Sequence, residues 1–228
     1  MTDPPPQPDR RRHGLWLFAA AMVLVAAVGV SFLLPYYEQW KAVKEIEAAG
    51  GSVRAESVGP EWLHDWLPEE WSSALSRVSS AHANDFESFS DEQLGGVCEL
   101  GEIRSLRLTQ TQVSDRGLQH LANLSNLKLL SLEGTHISDA GLTHLTGLSN
   151  LDRLWLGGTR ISDAGLKHLG SLSKLKYLSL NGTRISDDGL KHLSSLSKLE
   201  LLSLQETQVT PAGVKQLKAA LPGCMIVY

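Results

Sequence analysis

The chain has 228 residues, 42% of them hydrophobic and 20% charged, with a net charge of −4. That is enough apolar material for a sizeable core, and too little clustered basic charge for a nucleic-acid-binding domain. Two cysteines are too few for a disulfide framework.

Residues 1–13 are proline-rich and end Asp9-Arg-Arg-Arg-His13, a composition that predicts a disordered basic tail. Residues 14–35 contain Leu15–Leu34, an uncharged run long enough at about 1.5 Å per residue to cross a bilayer core as a helix. Trp16, Tyr36 and Tyr37 suit the two interfaces. Arg10, Arg11 and Arg12 stand before the run, against Glu38 and Lys41 after it. That asymmetry predicts a cytoplasmic N-terminus and places the rest of the chain outside. Ala27-Val28-Gly29 offers a small-residue cleavage site, but the apolar run continues to Leu34, which favours an uncleaved signal anchor in a single-pass membrane protein.

Residues 36–75 are expected to form an N-terminal cap. Trp40, Val43 and Ile46 give Glu38–Ala49 one apolar helical face, and Gly50-Gly51 stops it. Ser52–Val58 alternates like a strand. Pro60 opens a second helix carrying Trp62, Leu63, Trp66 and Leu67, with Trp71 following. Repeat arrays need their ends covered, so this tryptophan-rich stretch is read as a cover rather than a binding site.

From residue 100 to 219 one 24-residue unit is written five times, starting at Leu100, Leu124, Leu148, Leu172 and Leu196, without insertion or deletion. Residues 76–99 are a degenerate first copy: Phe89-Ser-Asp-Glu-Gln-Leu94 precedes Val113-Ser-Asp-Arg-Gly-Leu118 by one period, while its strand half around Val78–Asn84 has lost the leucines. Residues 220–228 supply a closing strand. A fixed period of this size predicts a solenoid.

Within a copy, Leu127, Leu130 and Leu132 predict a short strand, and strands of successive copies can only stack side by side and parallel. Ser138 is placed to cap a following helix and Asp139 to complement its dipole. The last copy has Thr210-Pro211 instead, with proline suited to the first helical position. Leu142 and Leu145 share the inward face. Gly117, Gly141, Gly165, Gly189 and Gly213 are expected to let the helix approach the sheet closely. The core should be columnar, with Leu100/124/148/172/196, Ile103 and Leu127/151/175/199, Val113/Ile137/Ile161/Ile185/Val209, and Leu118/142/166/190/Val214. Each buried leucine contributes about 1.5–3 kcal/mol.

The pattern L-x-x-L-x-L-x-x-T-x-I-S-D-x-G-L-x-x-L resembles leucine-rich repeats, and most closely the subtype with cysteine at the ninth position, known from substrate-binding arms of F-box proteins and from bacterial relatives. Here Thr111, Thr135, Thr159, Thr183 and Thr207 hold that position, so a threonine column is expected in place of an asparagine or cysteine ladder. No F-box precedes the repeats. The membrane run, the Glu45–Val53 and Pro60–Leu63 segments and these repeats together look like small membrane-anchored bacterial proteins of this kind. The resemblance implies an α/β fold: a right-handed solenoid with a concave parallel sheet and short convex helices, added to the transmembrane helix.

His120, His144, His168 and His192 recur with the period, but they spread along a line, whereas metal sites converge ligands on a point. They are read as half-buried packing residues, and no metal or cofactor is expected. No nucleophile–base–orienter set can be assembled, so the protein is read as non-enzymatic, with no small-molecule substrate and no nucleic acid. The strand positions facing outward remain. Arg107, Leu129, Glu133, Arg153, Trp155, Tyr177, Asn181, Leu201 and Gln205 form the candidate partner-binding face, with Trp155 at mid-array, because aromatic residues and arginine dominate protein-binding hot spots. The expected function is capture of a protein partner outside the cytoplasm. The alternative is a structural envelope role by self-association, through the acidic cap or an open strand edge near Tyr228.

Overall fold

The computed structural model describes residues 41, 43–44, 47–48, 51–57, 76–83, 89–99 and 103–228. The tail, the Leu15–Leu34 run, Trp40, Ile46, and the helix expected from Pro60 with Trp62, Trp66 and Trp71 lie outside these residues. Among the described residues no helix is long and apolar enough to cross a membrane.

Eight strands form one sheet in sequence order: β1 (Ser52–Ser57), β2 (Ser76–His82), β3 (Ser105–Arg107), β4 (Leu129–Ser131), β5 (Arg153–Trp155), β6 (Tyr177–Ser179), β7 (Leu201–Ser203) and β8 (Met225–Val227). β1 runs antiparallel to β2, with an irregularity between Arg54 and Ala55. Every later pair is parallel and in strict register, so Leu106, Leu130, Leu154, Leu178, Leu202 and Ile226 follow one another across the sheet. Each strand is only three residues long from β3 onward, because the leucines on either side turn the chain into the interior.

The leucine columns fill a single core. Leu124, Leu127, Leu130, Leu132, Ile137, Leu142 and Leu145 of one copy are all fully sealed from solvent. Val209, at the C-terminal end of its column, is half-buried because no further copy covers it. The first coil makes up for its lost leucines. Ala81 pairs with Leu106, Ala81 and Ala83 are both buried, and Phe89 fills the volume that Val113 occupies one coil later. Val43, in the helical segment before β1, packs against the same core.

The return path is tighter than an ordinary helix. In the second to fourth copies a single α-turn (Asp139–Leu142, Asp163–Leu166, Asp187–Leu190) is followed by a 3-10 turn. The first copy uses a 3-10 helix alone, Gly117–Asn123. A longer helix forms only at the ends, Asp91–Glu99 and Pro211–Ala220.

The glycine of the return path is required, though not for the reason its sequence position implies. A Cβ at Gly117, Gly141, Gly165 or Gly189 would overlap a carboxylate of the preceding coil: Asp91, Asp115, Asp139 or Asp163 respectively. It would also press on that coil's leucine, Leu94, Leu118, Leu142 or Leu166. The close approach is therefore coil to coil along the helical side, not helix to sheet.

The aspartates build a ladder. Asp115 Oδ1 accepts the backbone N–H of Ser138 at 2.8 Å, and its Oδ2 accepts the Ser138 hydroxyl at 2.5 Å. Asp139 does the same for Ser162, Asp163 for Ser186, and Asp187 for Thr210. Asp91 begins the series at Ser114. Ser90, which has no coil to supply a carboxylate among the described residues, turns to Gln93, whose Oε1 takes both its N–H and its hydroxyl. Capping by serine is secondary: Ser138 and Ser186 accept from the residue two ahead at 3.3 Å, and Ser162 makes no such bond.

The threonines form a column but not a ladder between coils. Thr135 Oγ1 donates to the Leu132 carbonyl at 2.6 Å, and Thr111, Thr159, Thr183 and Thr207 repeat this within their own copies. The hydroxyl is too short to reach the next coil and closes its own turn. That turn needs a left-handed residue just before the threonine. Gly134, Gly158 and Gly182 hold it at φ near +65°, while Gln110 and Glu206 adopt it with side chains, at φ 55° and 57°.

Candidate functional site

Alternate residues of each strand leave the core, so the outward sites form three columns across the sheet. The first is Ser105, Leu129, Arg153, Tyr177, Leu201 and Met225. The second is Arg107, Ser131, Trp155, Ser179, Ser203 and Val227. The third, two residues on, is Thr109, Glu133, Gly157, Asn181 and Gln205. The nine residues expected to face outward all fall in these columns.

They are not equally open. Arg107, Arg153 and Gln205 are exposed; Glu133, Trp155, Tyr177, Asn181 and Leu201 are half-buried. Leu129 departs from expectation: only 8% of it is accessible. Neighbouring strands lie about 4.8 Å apart, less than the width of a large side chain, so a leucine between rungs is shaded by what stands beside it. Ser131 and Ser179, on either side of Trp155, are buried for the same reason. Leu129 thus supports the face rather than offering itself to a partner.

Polar contacts order the middle of the face. The Arg153 guanidinium lies over the Tyr177 ring, 5.3 Å from its centroid, within cation–π range. Arg153 Nε is 3.8 Å from Asp152. Tyr177 Oη donates to Glu200 Oε2 at 3.2 Å, and Lys176 Nζ pairs with Glu200 Oε1 at 3.0 Å. These bonds, from Lys176 first and Tyr177 second, hold the Glu200 carboxyl below the usual range, and Glu200 raises Lys176. Asn181 Oδ1 accepts both the Ser203 hydroxyl (2.7 Å) and the Gln205 N–H (2.9 Å). Glu133 is different: burial pushes its carboxyl pKa up.

Two outward residues escaped the sequence reading. Met225 and Val227 are the exposed continuation of the first two columns onto β8. The signal was present, because Met225 lies one period after Leu201 and Val227 one period after Ser203, but the closing strand was not placed in the repeat frame.

The other candidate features carry no chemistry among the described residues. His144 and His168 are half-buried as expected, whereas His120 and His192 are exposed. No group of three or more histidine, cysteine or acidic side chains converges. Cys98 and Cys224 are buried and neither is in a disulfide.

Residues 171–194 match the family model described as Leucine Rich repeat. No curated protein matches the sequence significantly. Among solved structures, an internalin of Listeria monocytogenes is similar at a TM-score of 0.54 and 26% identity, over 65% of this chain and 39% of that one. An internalin C2 of the same organism is similar at 0.51 and 26%, over 66% of this chain and 70% of that one. The chain therefore spans about two fifths of the first internalin's length. The array folds as leucine-rich repeats do.

Proposed function

We propose that this leucine-rich repeat solenoid is a non-enzymatic binding module whose concave sheet docks a protein partner. Leucine-rich repeat folds commonly mediate protein–protein interaction, and the observation that carries the assignment here is the run of Arg153, Tyr177, Leu201 and Met225 on four adjacent rungs, with Trp155 beside it. Scattered surface apolar groups are ordinary; a contiguous column of the residue types that dominate hot spots is not. Among the described residues the repeated Ser–Asp pairs are used up in stacking the coils.

In the same proposal Leu15–Leu34 is an uncleaved single-pass anchor, residues 1–13 are cytoplasmic, and the repeats work outside the cytoplasm, in the manner of small membrane-anchored bacterial proteins. The charge asymmetry around the run supports this orientation. Alkaline phosphatase fused after Tyr228 should be active and β-galactosidase fused there inactive; the reverse pattern would overturn it.

The docking face is tested by affinity capture with the full chain in detergent. Trp155→Ala combined with Tyr177→Ala should abolish capture of partners held by the wild type while circular dichroism stays unchanged. Undiminished capture would remove the concave face from consideration. A second function, self-association, is favoured by one feature: Met225, Val227 and Tyr228 are 65%, 38% and 56% exposed on the last strand. Light scattering that finds a micromolar oligomer, lost on Met225→Lys, would support it.

A further inference from the structure

We infer that the notch over Gly157, walled by Glu133, Asn181 and Trp155, receives a lysine or arginine side chain of the protein partner. This rests on the concave face being the docking surface. Gly157 is the one residue of the third outward column without a side chain. A Cβ built there would stand 3.3 Å from Glu133 Oε1 and 3.2 Å from the Asn181 backbone oxygen. Two acceptors therefore converge above its Cα. Trp155 lies two residues before Gly157 on the same face and diagonally across from Glu133, within reach for a large aromatic side chain.

No donor of the described chain fills the notch. Glu133 makes no ion pair and no side-chain hydrogen bond among the described residues. Arg153, on the same face, is engaged with Tyr177 and Asp152. The Asn181 amide is turned to Ser203 and Gln205. Its backbone oxygen accepts one bond, from Gly158 N–H at 2.8 Å, and a carbonyl can accept a second. Ser131 shares its hydroxyl with Thr109 at 3.0 Å.

Physical chemistry then selects the occupant. A partner covering this face would strip water from the Glu133 carboxylate, which burial already disfavours. An apolar group would leave that charge buried and unpaired, at high cost, and an acidic group would add repulsion. An ammonium or guanidinium supplies the countercharge and two or more N–H donors, and it can rest on an indole face.

The test is phage-displayed random peptide selection against the full chain in detergent, followed by a double-mutant cycle on a selected peptide. Peptides whose binding requires Trp155 should be enriched in lysine or arginine. Glu133→Gln should weaken such a peptide about tenfold or more, as should replacing its basic residue with norleucine, and the two losses should not add. Circular dichroism checks that Glu133→Gln stays folded. Trp155-dependent peptides with no basic enrichment, or losses that add independently, would overturn the cationic notch and leave the concave face standing. Selected peptides indifferent to Trp155, or none selected at all, would count against both.

Discussion

The two sides of each coil treat variation in opposite ways. On the helical side the Ser–Asp–x–Gly unit recurs from Ser114 to Gly189 with the same residues, and Thr210 with Gly213 ends it. On the concave side the outward position between the paired leucines passes through arginine, serine, tryptophan, serine and serine. The helical side must satisfy a backbone N–H and a hydroxyl of the next coil with one carboxylate, and must leave room for that carboxylate at a glycine. Few residue types can do each job: serine or threonine gives the hydroxyl, aspartate accepts, and glycine makes room. The concave strands are stacked by their backbone ladder, and side-chain bonds such as those of Asn181 to Ser203 and Gln205 differ from rung to rung, so no one residue type is imposed on the outward positions and they can serve a ligand.

The sharpest way to break this contrast is to fill the helical side. Gly165→Val places a branched side chain on the Asp139 carboxylate and against Leu142, and should cost about 3 kcal/mol in urea unfolding. Gly147→Ala is the control. Its Cβ meets nothing nearer than the Ala122 carbonyl, 3.9 Å away, so it should be neutral. A Gly165→Val protein as stable as wild type would show that the ladder does not govern packing.

Removing a ladder carboxylate comes next. Asp139→Ala leaves the Ser162 N–H and hydroxyl without their acceptors and should cost about 2 kcal/mol. Thr159→Val removes a bond confined to one copy and should cost about 1 kcal/mol. If the two costs came out equal, bonds between coils would matter no more than bonds within one.

Gln110→Gly and Glu206→Gly sharpen the same distinction between inner and terminal copies. Each relieves a side chain held at positive φ and should stabilise by about 1 kcal/mol, read as a raised urea midpoint. No gain would mean that local contacts of these side chains offset the strain.

The smallest effects concern pH. Thr210 holds the Asp187 carboxyl below its ordinary range, through its hydroxyl first and its N–H second. The native state thus binds fewer protons than the unfolded chain. That contribution is present above the unfolded carboxyl pKa and lost as pH falls through the folded one. His82 has the same sign, lowered from 6.5 by burial first, then by Arg107 and Arg54. Its contribution is present above its ordinary pKa and lost as pH falls to the folded value. Acid should therefore weaken the protein in two windows, His82 first. Carbon-13 titration of the two side chains reads both, and Asp187→Asn should shrink only the more acidic window, to which Glu200 also contributes.

Much of the fold was legible because the repeat is exact in length. Stacked parallel strands, short helices and the leucine columns follow from a constant 24-residue frame in which each leucine returns to the same depth. The ladder was not legible. Asp139 beside Ser138 reads as a helix start, yet its carboxylate serves Ser162, 23 residues on. The threonine column could be placed from the period, but not its acceptor, which lies three residues away in the same copy. On the concave face, the register of Tyr177 with Leu201 could be read from the period, but the shading of Leu129 could not.

The sequence by itself determined which residues share a column, because periodicity fixes depth and direction along the coil. Only the tertiary structure decided which atoms meet: which carboxylate crosses to the next coil, which glycine makes room for it, and that Glu133 pairs with no cation among the described residues. Those outcomes depend on offsets of a few ångströms between stacked coils, and such offsets arise only when neighbouring copies pack.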